Sequence, residues 1–140
     1  MPHEDGPSYH PVVATISLGS PTVFNYYSYM SDGTDIPMPA REESTRARSI
    51  DPQPALSILL EPRSLVITTS SLYSNHLHGI EELERDILKP KSVANWELLG
   101  DAETKRVASE GGIVERGTRV SLTCRDVERV AGSKLLKLGR

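Results

Sequence analysis

The chain has 140 residues, of which 37% are apolar and 25% charged, so it holds one globular domain with a single core. Its formal net charge of −3 argues against a protein that wraps broadly around nucleic acid, because phosphate neutralisation needs a basic surface. With Cys124 as the one cysteine no intrachain disulfide can form, and no apolar run approaches the ~20 residues of a membrane span.

The N-terminal part of the sequence predicts two β-segments followed by a long loop. Residues 11–18 and 21–29 are rich in β-branched and aromatic residues and are separated by Gly, Ser and Pro at 19–21. This pattern predicts either a hairpin or one strand with a sharp bend. Residues 30–54 are polar, rich in proline and without period, which indicates a long, mobile loop.

Two further strands and a helix are predicted in the middle of the chain. Residues 56–60 are apolar except for Ser57, Pro62 turns the chain, and residues 64–69 are rich in β-branched side chains. The next apolar residues recur at helical spacing: Ile80, Leu83, Ile87 and Leu88. This spacing predicts one short surface helix that ends near Pro90.

The last part of the chain predicts an irregular insertion and then a strand. Residues 91–112 are mostly polar, and we interpret them as irregular with one more helical turn. Residues 116–127 have a period of two, which predicts a strand with one apolar face and one polar face. The apolar face holds Val120, Leu122 and Cys124, and the polar face holds Arg119, Ser121, Thr123 and Arg125. The C-terminal end, residues 116–140, is locally basic, and we interpret it as a solvated charged tail.

A His-x-Asp motif at the start of the chain suggests a metal site. Alternate residues of an extended segment point the same way, so His3 and Asp5 offer two of the three ligands of a two-His-one-carboxylate iron site. The third ligand must come from a distant part of the chain. His76 and His78 both follow a predicted strand and share a face, so spacing alone leaves both open. His10 is interpreted as structural or exposed.

The two arginines of the last strand suggest a site for a small anion. Arg119 and Arg125 lie six residues apart on one face, which separates their Cα atoms by about 20 Å. If the two side chains lean toward each other, the remaining gap is on the order of 8 Å, which suits a short dicarboxylate held at both ends by charge-assisted hydrogen bonds. The alternative is an exposed edge strand whose arginines face water.

Three stretches together resemble the AlkB-type Fe(II)/2-oxoglutarate-dependent dioxygenases: MPHEDGPSYHPVVATISLGSPTVF, LLEPRSLVI with LYSNHLHGI, and RGTRVSLTCR. The resemblance implies that His3 and Asp5 bind iron and that His78, in a His-Gly-Ile signature, is the third ligand. Residues 119–125 match the closing Arg-x-Asn-x-Thr-x-Arg motif of the family, with Ser121 in place of the asparagine.

The same resemblance implies roles for the closing motif. Arg119 would hold the distal carboxylate of 2-oxoglutarate, and Arg125 would lie near the iron end of the pocket. Ser121 and Thr123 would belong to the same cosubstrate site. No catalytic residue is implied beyond the three metal ligands.

The resemblance also implies a fold and a reaction. The fold is mainly β, a double-stranded β-helix or jelly-roll of two antiparallel sheets with one or two short helices inserted. The domain covers residues 1–140, with variable loops at 30–54 and 81–112. Fe(II), 2-oxoglutarate and dioxygen would oxidise a C–H bond, typically of an N-methyl group, in a nucleic acid or a protein. We expect the protein in the nucleus and cytoplasm, without a membrane partner.

In this family a core strand with an Asn-x-Tyr pair, and a lid over the substrate, precede the His-x-Asp motif. The sequence begins two residues before His3. We therefore expect an N-terminally truncated domain that binds metal weakly and turns over slowly or not at all. The alternatives are a jelly-roll binding module with relic ligands and a cupin-like zinc or manganese site. The complete set of ligands and arginines favours the dioxygenase.

Overall fold

The computed structural model describes residues 1–30 and 49–127, which form mainly antiparallel β-structure, as predicted. Within these ranges the strands are β1 (Val12–Gly19), β2 (Thr22–Tyr27), β3 (Leu56–Leu60), β4 (Ser64–Thr69), β5 (Leu77–Gly79), β6 (Arg85–Leu88), β7 (Gly112–Glu115) and β8 (Arg119–Arg125). The helices are α1 (Ser70–Ser74) and α2 (Ala102–Glu110), with a 3-10 turn at Trp96–Leu98. Neither helix in the described ranges has the length and apolar character needed to cross a membrane. Most of the predicted loop at 30–54 and much of the predicted basic tail lie outside the described residues.

Two three-stranded antiparallel sheets make up the centre of the fold. Their strand orders are β4-β1-β8 and β3-β2-β5, and a separate two-stranded sheet joins β6 to β7. The chain passes from one large sheet to the other between β1 and β2 and again between β3 and β4. This arrangement fits the predicted double-stranded β-helix.

The turn at residues 19–21 is the first of these crossings, so the sharp bend is confirmed and the hairpin is not formed. Gly19 has a φ of +79°, and a Cβ atom there would clash with the carbonyl oxygen of Thr118. The backbone N–H of Ser20 donates to that same carbonyl oxygen at 3.0 Å. These contacts attach the bend to Thr118, the residue before β8, and so fix the position at which β8 starts.

Aromatic and aliphatic side chains fill the space between the two large sheets. Phe24, Tyr26 and Leu60 are buried there and pack against Val66 of the opposite sheet. The hydroxyl groups of Tyr26 and Thr68 form a hydrogen bond of 2.7 Å across the same space. Burial of large apolar side chains supplies the stability of the sandwich, and the hydroxyl pair ties the two sheets together beside the site described below.

The helix predicted from residue 80 to Pro90 is wrong. Residues 85–88 form strand β6, which pairs with β7 so that Ile87 lies opposite Ile113. Asp86 and Leu88 are buried while Ile87 is exposed, which is a period of two. A charged residue occupies a buried position here, so the hydrophobic pattern did not reveal the strand.

The insertion at 91–112 is more ordered than predicted. It contains the nine-residue helix α2, whose N-cap Asp101 accepts a hydrogen bond from the backbone N–H of Thr104. Buried residues of this region, together with residues of β3, β6 and β7, form a second core on the outer side of the β3-β2-β5 sheet. Its members are Leu59, Leu88, Val93, Leu99, Val107, Ala108 and Val114.

A buried ion pair holds β6 to the segment before β8. Arg116 Nε donates to Asp86 Oδ2 at 2.7 Å, and the two side chains are only 10% and 5% exposed. The backbone N–H of Val23 donates to the same carboxylate oxygen at 3.2 Å. Asp86 therefore links β6 both to β2 and to the segment that leads into β8.

Asp86→Ala is expected to lower the free energy of unfolding by about 3 kcal/mol or more, because it leaves the Arg116 charge buried without a partner. Chemical denaturation measures the effect. Arg85→Ala is the matched control on the same strand: its pair with Glu115 is exposed and 3.9 Å long, so we expect a loss below about 0.5 kcal/mol. Equal losses for the two variants would contradict the structural role of the buried pair.

Candidate metal and cosubstrate site

The N-terminal segment lies against β5 as a short antiparallel bridge. The backbone N–H of His3 donates to the carbonyl oxygen of His78 at 3.0 Å, and the N–H of His78 donates back to His3 at 2.9 Å. Gly79 allows this close approach, since a Cβ atom there would lie 3.2 Å from the Cα atom of Pro2. Two residues that are 75 positions apart in the sequence are thus placed side by side.

The bridge brings the three predicted metal ligands together. One ligand atom each from His3, Asp5 and His78 can be chosen so that all three lie within 4.8 Å of one another. The His78 Nε2 atom lies 3.8 Å from Asp5 Oδ2, and the two imidazole ring centroids are 4.5 Å apart. Two imidazoles and one carboxylate on one side of a small space match the donor set of non-haem Fe(II) sites.

The environment of His78 favours the form of imidazole that binds metals. Burial lowers the pKa of His78, and nearby Asp5 opposes this shift only in part. The ring also stacks on Phe24, with 5.4 Å between ring centroids and 15° between the planes. A neutral, fixed imidazole presents a nitrogen lone pair to a cation, so His78 is ready for coordination near neutral pH.

The Asp5 carboxylate is held by Arg125. The Arg125 Nε atom donates to Asp5 Oδ1 at 2.6 Å, and its Nη2 atom contacts the same oxygen. The Asp5 side chain is 4% exposed, so this is a shielded ion pair. Arg125 therefore lies at the metal end of the site and orients Asp5 so that Oδ2 remains on the side of His78.

A cavity of about 280 Å³ opens beside these groups. Its lining includes the three candidate ligands, several apolar side chains and the polar face of β8. The β8 residues are Arg119, Ser121, Thr123 and Arg125, which are the four that the sequence analysis assigns to the cosubstrate site. The structure thus brings the predicted cosubstrate residues and the predicted ligands to one cavity.

A larger cavity of about 720 Å³ lies next to β6, on the side of the insertion. It is lined by acidic residues such as Glu81 and Glu84 and by the Asp86–Arg116 ion pair, and none of the three candidate ligands reaches it. The smaller cavity is therefore the candidate site, despite its size.

Arg119 has the features expected of a residue that binds an anion. Its Nη2 atom donates to Ser17 Oγ at 2.9 Å, whereas its Nε atom is buried and has no hydrogen-bond partner among the described residues. Burial, with a smaller contribution from Arg116, lowers the pKa of Arg119. A half-buried cation with a buried, unused donor is costly unless a carboxylate or phosphate approaches it. The distal carboxylate of 2-oxoglutarate fits this requirement.

Two other histidines and one tyrosine lie outside the ligand set. The His76 Nδ1 atom lies 2.8 Å from the carbonyl oxygen of Ser71, and His10 is exposed. Tyr73 donates its hydroxyl to the carbonyl oxygen of Gly6 at 2.7 Å.

Sequence reasoning missed Ser17 as a residue of the site. The period of two along β1 puts Ser17 on the same face as Val13 and Thr15, and in the structure Val13 and Ser17 are the two buried residues of that strand. Ser17 is fully buried, and its hydroxyl fixes one end of the Arg119 guanidinium.

A scan against protein-family models gives no match. A search of curated proteins finds the "Probable RNA/DNA demethylase ALKBH6" of Danio rerio, which is 36% identical over 135 residues. The alignment covers 96% of this chain and 50% of the zebrafish protein, so the chain spans about half the length of the curated relative it matches. The resemblance to AlkB-type proteins, and within them to the eukaryotic AlkB homologue six, is thereby confirmed.

Proposed function

We propose that this chain carries the iron and cosubstrate site of an Fe(II)/2-oxoglutarate-dependent dioxygenase that demethylates nucleic acid. The observation that carries the proposal is the meeting of two sets of residues in one cavity. His3, Asp5 and His78 offer a two-His-one-carboxylate set, and Arg119 offers a buried donor without a partner among the described residues. Arg119 lies 41 residues after His78 and 116 residues after His3, so a common cavity is not a consequence of sequence proximity.

Each residue has a separate task in this proposal. His3, Asp5 and His78 would hold Fe(II) beside the cavity that they line. Arg119 would bind the distal carboxylate of 2-oxoglutarate, with Ser17 keeping the guanidinium in place. Arg125 neutralises Asp5 and keeps its second oxygen available. Ser121 and Thr123 would supply hydroxyl groups to the cosubstrate from the same strand face.

The bound metal with 2-oxoglutarate would supply activation of dioxygen and oxidation of a substrate C–H bond. The chain itself contributes binding, orientation and charge compensation around that centre. Neutral His78 needs no proton release before it can coordinate, and the Arg125–Asp5 pair keeps a carboxylate in a shielded place without an unpaired charge.

The proposed substrate is an N-methylated base. The support is the name of the zebrafish relative, a probable RNA/DNA demethylase, together with the close agreement of the site residues with the AlkB-type motifs. A cupin-like zinc or manganese site would not explain the presence of Arg119, since such a site needs no side chain that binds a dicarboxylate. A non-catalytic binding module would likewise not need a free buried arginine donor.

The test is an anaerobic titration of the chain with Fe(II) and then with 2-oxoglutarate. We expect Fe(II) alone to give no visible band, and addition of 2-oxoglutarate to give the weak charge-transfer absorption of a ketoacid that chelates iron. Succinate release in air, in the presence of methylated oligonucleotides, then tests turnover. Stoichiometric iron binding without any response to 2-oxoglutarate would contradict the dioxygenase and favour the binding module.

A further inference from the structure

The turn that follows Asp5 is fastened by a side chain of helix α1. The hydroxyl of Tyr73, in helix α1, donates to the carbonyl oxygen of Gly6 at 2.7 Å and lies 3.4 Å from the carbonyl oxygen of Tyr9. Gly6 has a φ of +86°, a conformation that glycine adopts readily. Tyr73 therefore contacts both ends of the turn from Gly6 to Tyr9.

Both ends of this turn are connected to the Asp5 carboxylate. Gly6 is the next residue after Asp5 in the chain. At the other end, the ring of Tyr9 lies 5.5 Å from the Arg125 guanidinium, which in turn binds Asp5. A shift of the turn would move Asp5 directly and would also move the group that orients it.

Asp5 depends on these contacts more than the other N-terminal ligand does. His3 is held by two backbone hydrogen bonds to His78, whereas Asp5 makes no backbone–backbone hydrogen bond to any residue that the structure describes. Tyr29 donates to Glu4 Oε1 at 2.8 Å, but that contact is at the surface, where water can replace it. The Tyr73 contact is partly buried and next to the ligand.

We propose that Tyr73 is a positioning residue for the Asp5 carboxylate. It keeps the segment after the His-x-Asp motif in its metal-binding position before any metal arrives. Termini fray unless they are tied down, and a ligand that must first be ordered lowers the apparent metal affinity by the fraction of time it is out of place. The inference rests on the metal site in the proposed function.

The experiment compares Tyr73→Phe with Tyr27→Phe, each of which removes one phenolic hydroxyl. The Tyr27 hydroxyl contacts Asn25 and Glu81 and forms no hydrogen bond to residues 3–9 in the described part of the chain. With Co(II) alone as the probe, we expect Tyr73→Phe to bind about three- to tenfold more weakly than the unchanged chain, as loss of one hydrogen bond allows. We expect Tyr27→Phe to bind as the unchanged chain does. The visible d–d spectrum of bound Co(II) shows whether the carboxylate still coordinates.

Hydrogen exchange of the metal-free proteins gives a readout that does not depend on metal affinity. We expect faster exchange over residues 6–9 in Tyr73→Phe than in Tyr27→Phe, with protection restored by saturating Co(II). Equal Co(II) affinity in Tyr73→Phe and the unchanged chain would overturn the positioning role and leave the metal site intact. Absence of Co(II) binding by the unchanged chain would overturn the proposed function, and the positioning role with it.

Discussion

Replacing His78 with alanine is expected to weaken Fe(II) or Co(II) binding by more than about a hundredfold. Loss of a group that only supports a ligand already costs 10–100-fold in affinity, and a ligand itself is worth more. The imidazole of His78 is fixed by its stacking on Phe24 and kept neutral by burial, so no other side chain can take its position. Equilibrium titration with a competing chelator measures the affinity.

His76→Ala is the matched control, because this histidine lies two residues away and its Nδ1 atom contacts the carbonyl oxygen of Ser71. We expect it to bind metal as the unchanged chain does. His3→Ala adds a second test, since His3 is exposed and its removal leaves the core intact. A thermal melt of each metal-free variant identifies a folding defect. The ligand set is wrong if His76→Ala loses metal while His78→Ala keeps it.

The strands of the two large sheets could be predicted from the sequence because local and global signals agree there. Residues 56–60 and 64–69 are apolar or β-branched and end at turn residues, and both are strands within one residue of the predicted bounds. Which of these strands pair could not be predicted, because pairing partners such as β1 and β8 are about 100 residues apart. The bend at Gly19 shows the same limit: the turn was visible, but the change of sheet depends on the distant Thr118.

Strand β6 was missed because its buried side is not apolar. Asp86 occupies an inward position and is neutralised by Arg116, which lies 30 residues further along the chain. Hydrophobic periodicity places such an aspartate on the exposed side, and the apolar residues that remain then show helical spacing. Only the tertiary structure makes the buried charge acceptable.

The polarity of β8 is reversed with respect to an ordinary half-buried strand. Its alternation was predicted, yet the polar residues from Arg119 to Arg125 line the cavity, while Val120 and Leu122 are each 52% exposed in the described part of the chain. Periodicity locates two faces but does not say which one points inward. Within β8, Arg119 is half-buried and Ser121, Thr123 and Arg125 are exposed, so the strand buries neither face fully, as is expected where residues serve binding rather than packing.

The choice between His76 and His78 illustrates what the residues alone could not decide. Spacing places both on one face, and the resemblance to AlkB-type proteins was needed to prefer His78. The structure brings His78 beside His3 and Asp5 through the backbone bridge, which no local pattern encodes. The same bridge holds the ligand segment more firmly than its place near the N-terminus led us to expect.

Arg119→Ala is expected to weaken 2-oxoglutarate binding by about a hundredfold or more while leaving the metal affinity unchanged. Hydrogen bonds to charged groups contribute about 1.5–3 kcal/mol each, and a guanidinium can make two of them to one carboxylate. The measurement is the charge-transfer band as a function of 2-oxoglutarate concentration at saturating Fe(II). The 2-oxoglutarate affinity of Arg119→Lys should lie between those of Arg119→Ala and the unchanged chain, because lysine keeps the charge but loses the planar pair of donors.

The stability of the metal-free variant distinguishes a binding role from a structural one. Arg119 is half-buried, has an unused Nε donor and forms no ion pair among the described residues, so its removal should not destabilise the fold. Arg125→Ala should behave in the opposite way: it leaves Asp5 without its partner, and metal affinity should fall together with stability. If Arg119→Ala retains full 2-oxoglutarate affinity, or unfolds the protein as readily as Arg125→Ala, the assignment of Arg119 to the cosubstrate carboxylate fails.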